Sequence, residues 1–144
     1  MNDYLNIYYK TYPLISALTS MFIAQGSKII QALIIDKKWK PNKMISSGGM
    51  PSSHAATVTA LTISIGLSEG WFSPIFYVAA IFSLIVLYDA VGVRRAVGQQ
   101  GEILNQIMTD DPKVQIKASG HSPLEVIIGI LLGAAIAIIL RLLQ

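Results

Sequence analysis

The stretch PLEVIIGILLGAAIAIIL, from Pro123 to Leu140, carries one charged residue, Glu125, and that residue stands at its start. A bilayer crossing takes about 20 apolar residues, with a range of roughly 17–25. This stretch therefore reads as a transmembrane helix. Three others accompany it: Pro13 to Ile35, His54 to Leu67 and Pro74 to Val93. The second reaches crossing length only if it begins at Pro51; otherwise it spans a thin region or lies partly inside the bundle. Hydrophobic residues make up 53% of the 144-residue chain and charged residues 13%, about half the usual charged share. That is too little polar surface for a soluble helical protein. The expectation is an all-α integral membrane bundle of about four transmembrane helices, forming a single domain over 1–144. The first residues show no basic leader or small-residue cleavage site, so no removable signal peptide is expected. With no cysteine, disulfides and thiolate metal sites are excluded and the redox compartment stays undecided. No internal repeat or low-complexity tract interrupts this pattern.

Between the second and third stretches lies Leu67-Ser68-Glu69-Gly70-Trp71-Phe72-Ser73-Pro74, a tight connection with an interfacial aromatic pair. It predicts an antiparallel hairpin. The net charge of +3 says less than its placement. Lys37, Lys38, Lys40 and Lys43 lie in the 36–50 connection; Arg94, Arg95, Lys113 and Lys117 lie in the 94–122 connection. Only Lys10 and Arg141 mark the opposite ends. The positive-inside rule then places both long connections in the cytoplasm at the cell membrane, with both termini outside. In this topology His54, Arg94, Arg95, His121 and Glu125 meet on one membrane face. Gln99 to Met108 carries Ile103, Leu104, Ile107 and Met108 at helical spacing, which predicts a short interfacial helix covering that face.

His121 and Glu125 are four residues apart and share a helix face. A carboxylate so placed fixes an imidazole's tautomer and supports the cation formed during nucleophilic attack. A structural His–Glu pair, or an acid answering the helix dipole, has the same spacing. HxxxE also suits a metal, but no third strong ligand is adjacent. Continuing the face gives Gly129, Gly133 and Ala137, a small-residue series for close helix approach, used either inside one bundle or in a homo-oligomer.

The run Ser46-Ser47-Gly48-Gly49-Met50-Pro51-Ser52-Ser53-His54 combines glycines, a first-turn proline and free amides that attract anions. Gly49, Ser52 and Ser53 are thus candidate substrate-binding residues and His54 a proton donor; the plainer alternative is a capped helix with a histidine at the interface. Arg94 and Arg95 follow Tyr88-Asp89-Ala90-Val91-Gly92-Val93. They either fork onto phosphate oxygens or anchor the helix end, with Asp89 as a supporting partner. Lys28 lies eight residues before Asp36, about 12 Å along a helix. Gln25 and Gln31 are near it; it is an intramembrane cation facing the bundle, or a snorkelling one. The connection lysines set orientation and meet anionic headgroups.

The blocks Gly48–His54, Tyr88–Arg95 and Gly120-His121-Ser122-Pro123-Leu124-Glu125-Val126 resemble the signature blocks of the divergent PAP2 family, small membrane proteins related to acid phosphatase and vanadium-dependent haloperoxidase. The wider type 2 phosphatidic acid phosphatase superfamily uses the motifs KxxxxxxRP, PSGH and SRxxxxxHxxxD. The resemblance implies that His121 is the nucleophile, Glu125 its carboxylate and His54 the general acid. It also implies that Arg95, with Arg94, holds phosphate and that Lys28 is the first motif's lysine. This chain departs from the pattern in four ways. No Arg-Pro follows Lys28, with Lys40-Pro41 as a remnant. Ser53 replaces glycine, Glu125 replaces aspartate, and Arg95 precedes His121 by 26 residues rather than six.

The expected function is hydrolysis of a lipid phosphate or isoprenoid diphosphate through a phosphohistidine, with no metal or organic cofactor and no nucleic-acid partner. The alternative is a scaffold or regulatory protein that binds a phosphorylated headgroup without hydrolysing it. A vanadate-dependent oxidation uses a similar anion cage, but no residue here favours it over phosphate chemistry.

Overall fold

The computed structural model describes residues 2–37, 49–107 and 120–143. Five helices account for nearly all of them: α1 (Asn2–Asp36), α2 (Ser53–Glu69), α3 (Pro74–Val91), α4 (Val93–Ile107) and α5 (Pro123–Leu142). Three runs are long and apolar enough to cross a membrane: Lys10–Ile34 in α1, Pro74–Ile107 through α3 and α4, and Pro123–Leu142 in α5. The fold is an all-α membrane bundle.

Its packing is that of a protein solvated by lipid. The buried side chains are mostly small, among them Ala17, Ala24, Ala55, Ala56, Ala60, Ala90 and Ala137, whereas Leu14, Phe22, Ile81, Leu84, Leu131 and Ile139 point outward. Lipid tails are as apolar as leucine, so close backbone approach and hydrogen bonds hold such helices together.

At 17 residues α2 is the shortest of the apolar helices. It sits at the centre, packed against α1, α3 and α5. Gly129 and Gly133 of α5 face it. A Cβ at Gly129 would stand 2.5 Å from the Ser52 carbonyl oxygen, and one at Gly133 would overlap the Ala56 carbonyl oxygen. The Gly129/Gly133 face is therefore occupied by α2 of the same chain.

Between α2 and α3 the contact is polar. Thr62 and Ser83 hydroxyls are 2.6 Å apart, and Ser83 Oγ donates to the Val58 carbonyl at 3.1 Å. The predicted hairpin between these helices is formed by Gly70–Ser73. Gly70 adopts φ 93° and the Ser73 hydroxyl accepts from the Phe76 amide.

On α1, Tyr12, Ser16, Ser20, Ala24, Lys28 and Ala32 recur every four residues and all are buried. The Tyr12 hydroxyl donates to the Ala137 carbonyl at 2.6 Å, fixing α1 to the far end of α5. This helix begins at Asn2, well before the expected Pro13, and passes through that proline. Membrane helices tolerate an internal proline because neighbouring groups satisfy the freed backbone.

Helix α4 also begins earlier than expected, at Val93, directly after a backbone break at Gly92 with φ −98° and ψ −90°. It packs against α3 and against no other helix, so among the described residues it does not lie across α1, α2 or α5. Met108 of the expected interfacial helix lies outside the described residues.

Candidate functional site

One end of the bundle collects the last part of α1, the starts of α2, α4 and α5, and the end of α3. Each element delivers a polar side chain there for a local reason. Ser122 caps α5: its hydroxyl accepts the Glu125 amide, and Glu125 Oε2 accepts the Ser122 amide at 3.0 Å. This reciprocal capping box fixes the first turn of the helix. The same Oε2 lies 3.1 Å from Nδ1 of His121. With Nδ1 carrying the proton, His121 donates to the carboxylate and Nε2 presents its lone pair. Nε2 is buried and has no hydrogen-bond partner among the described residues.

His54 stands opposite, on the first turn of α2. The two imidazole rings meet edge to face with centroids 6.1 Å apart. Ser52 caps α2 by accepting the Ala55 amide on its hydroxyl, while its own amide donates to the Glu125 carbonyl at 2.9 Å. These bonds use two of the four amides that a helix start leaves open. Among the described residues no such bond is made by the amides of Ser53 and His54.

Lys28 completes the centre from α1. Its side chain is 3% exposed, and its ammonium has no partner among the described residues. Gly49, at φ 91°, passes over this side chain, with its Cβ position 4.0 Å from Lys28 Cδ. Gln31 donates to the Met50 carbonyl at 2.9 Å, holding this loop against α1.

The arginines separate. Arg94 Nε donates to Asp89 Oδ2 at 2.5 Å across the Gly92 break, and its charge acts on both imidazoles together with that of Lys28. Arg95 is exposed. The 26-residue interval that separates Arg95 from His121 in sequence is closed at Gly120. This residue adopts φ 124°, and a Cβ there would overlap the Arg94 carbonyl. Beside it the His121 amide lies 3.4 Å from the Ala90 carbonyl. Thus the chain entering α5 lies directly on the start of α4.

Burial holds His121 below the usual histidine range. The hydrogen bond that His121 donates to Glu125 opposes that shift, and the charges of Lys28 and Arg94 reinforce it. The imidazole is therefore neutral at physiological pH, the state in which a ring nitrogen can attack. Among the described residues no group of three or more histidines and acids is arranged to hold a metal ion.

The signature blocks thus fold into one cluster rather than three separate helix ends. The family model for the divergent PAP2 family matches residues 9–136. The chain belongs to the divergent PAP2 family. An uncharacterized membrane protein of Bacillus subtilis (strain 168), YuiD, is 36% identical over 147 aligned residues, covering 90% of this chain and 93% of that protein. No solved structure matches the chain.

Within this divergent PAP2 protein, His54, His121, Glu125, Lys28 and Gly49 come together, as do Ser52 and Ser53 at the α2 start. Arg94, with Asp89, borders them; Arg95 turns outward. Sequence reasoning missed two positioning residues. Ser122 was announced by the S-x-x-E spacing that marks a capping box. Gly120 gave the weaker sign of a glycine directly before a site histidine. Ser46 to Gly48, Lys38, Lys40, Pro41, Lys43, Lys113 and Lys117 lie outside the described residues.

Proposed function

We propose that this protein is a membrane-embedded phosphatase acting on a lipid phosphate or isoprenoid diphosphate through a phosphohistidine. One observation carries the reading. Three buried side-chain nitrogens, Lys28 Nζ on α1, His54 Nδ1 on α2 and His121 Nε2 in the turn before α5, lack partners among the described residues. Burying such groups unpaired is costly. Their cost is recovered if a polyanion sits among them.

In the first step the lone pair of His121 Nε2 forms a bond to phosphorus. The bond from phosphorus to the leaving oxygen breaks, and that oxygen takes a proton from His54, which the bound polyanion holds in its protonated form. Glu125 steadies the phosphoimidazolium through Nδ1, while Lys28, Arg94 and the amides of Ser53 and His54 balance the charge on the non-bridging oxygens. Water then attacks phosphorus, His54 takes its proton, and the phosphorus–nitrogen bond breaks to free phosphate and neutral His121. The basic residues of the two long connections in the sequence support a site on the cytoplasmic side of the cell membrane. A membrane-borne ester suits it, because the tail stays in lipid while the head enters the polar end.

The pairing of Arg94 with Asp89 favours a second reading, a headgroup binder without turnover, because the accessible guanidinium is already partly neutralised. Phosphate release from lipid phosphates and isoprenoid diphosphates, measured beside His121→Ala, separates the two. The phosphatase releases phosphate and traps acid-labile phosphate on the protein, and the variant does neither. Binding without release or trapping establishes the second reading.

A further inference from the structure

Helix α3 packs closely on α2 but leaves α5 after a brief contact, and an apolar cleft of about 540 Å³ opens between them. Leu84, Ile85, Leu87, Tyr88, Val91 and Val126 line it. Its position is informative. Val126 directly follows Glu125, and Val91 is two residues beyond Asp89 and three before Arg94. The cleft therefore ends at the level of the polar cluster. Behind it stands the layer of Ala55, Ala90 and Val126, against which Leu87 and Val91 pack. Ile85 also lines a second apolar cleft that extends to Tyr77. Together they run from Tyr77 to Val91 along α3, about 21 Å at the rise of an α-helix.

We propose that this groove is the subsite for a single long hydrocarbon chain whose phosphorylated end occupies the His121 cluster. The inference rests on the phosphoryl reading above and adds where the chain lies and why its length matters. The occupant follows from the two ends of the groove. Along its length the lining is aliphatic or aromatic, with only Tyr77 and Tyr88 carrying hydroxyls. At its end Arg94 offers a half-exposed guanidinium, beyond which lies the buried ammonium of Lys28. An amphiphile with an anionic head and one extended chain satisfies both. A soluble phosphate ester leaves the groove empty, and a neutral lipid leaves the cations unanswered.

The test uses the full protein in nanodiscs of zwitterionic lipid, with ethyl phosphate and hexadecyl phosphate as probes. Equilibrium binding of each is measured for wild type, for Leu84→Trp and Ile85→Trp, and for Leu131→Trp. Leu84, Ile85 and Leu131 are all exposed to lipid, so these changes spare the packed core. Wild type should bind hexadecyl phosphate at least about tenfold more tightly than ethyl phosphate. Both cleft-filling variants should lose most of that advantage while binding ethyl phosphate as before, and Leu131→Trp should retain it. An advantage that survives in the cleft variants, or falls equally in Leu131→Trp, overturns the subsite: the chain then gains only by entering the bilayer. Ethyl phosphate binding with no chain advantage overturns the subsite alone. Absence of binding by either probe overturns the phosphoryl reading with it.

Discussion

The amide of Ser52 donates to the carbonyl oxygen of Glu125, so the cap of α2 and the first turn of α5 form one joint. His54 and His121 stand on either side of it. Glu125 serves this joint three times: its carbonyl receives Ser52, and its Oε2 receives both the Ser122 amide and Nδ1 of His121. That multiplicity accounts for glutamate where the wider superfamily has aspartate. The capping box needs a side chain that reaches back three residues to the cap amide.

Glu125→Asp should therefore fail despite keeping its charge. Loss of the box should cost about 1 kcal/mol of stability, read as a lower melting temperature in detergent. Phosphate release should fall on the order of 10²-fold or more as the His121 tautomer is freed. Near wild-type melting and turnover in this variant would remove Glu125 from the site.

Asp89→Asn should release Arg94. Because the pair is partly exposed, its loss should change stability by under about 1 kcal/mol. Binding of ethyl phosphate should tighten by a few-fold, and more strongly at low ionic strength. Weaker binding would mean that Asp89 instead aims the guanidinium at the ligand.

Gly133→Ala should destabilise by about 1–3 kcal/mol, the range for overpacking a tight contact. The obstacle is the Ala56 backbone rather than a side chain that can turn away. Gly26, inside α1 with open space at its Cβ position, is the matched control: Gly26→Ala should melt at or slightly above wild type. Equal melting of all three proteins would contradict the packing of α5 on α2.

Burial lowers the His121 pKa from its ordinary value of 6.5 against the pull of Glu125, while Lys28 and Arg94 add to the lowering. As pH falls through 6.5 the unfolded chain binds a proton that the folded chain still refuses, so the His121 contribution to stability declines. Above that pH the contribution is fully present. Melting temperatures between pH 5 and 8 should show this slope, and His121→Gln should make it shallower, leaving the part that His54 contributes in the same direction. A variant slope as steep as wild type would assign the titration to other groups.

Much of this arrangement could be read from residues alone. Pro74 and Pro123 stand at true helix starts, and the α3 and α5 stretches agree with their helices within two residues. Pro13 lies near the start of the membrane run at Lys10 but not at the helix start, because a membrane helix tolerates an internal proline and α1 runs through it. The cluster of histidines followed from topology, since alternating crossings bring those ends to one face. The arginine choice did not. Adjacent residues on a helix point about 100° apart, and only the Gly92 break sets which of Arg94 and Arg95 turns inward. Nor does hydropathy announce the Thr62–Ser83 contact, which joins helices through two hydroxyls.

The short, hydroxyl-rich α2 has a consequence for how the chain enters the bilayer. Alone it is a weak candidate for insertion: 17 residues, with Ser53, Thr57, Thr59, Thr62, Ser64 and Ser68 along it. Only four residues, Gly70 to Ser73, separate it from α3, whose apolar run is far stronger. The two then partition as a pair, with α3 supplying the hydrophobicity and Thr62 and Ser83 already matched. Inserted as such a pair, α3 would carry His54, which stands opposite His121, to the membrane face where the cluster forms.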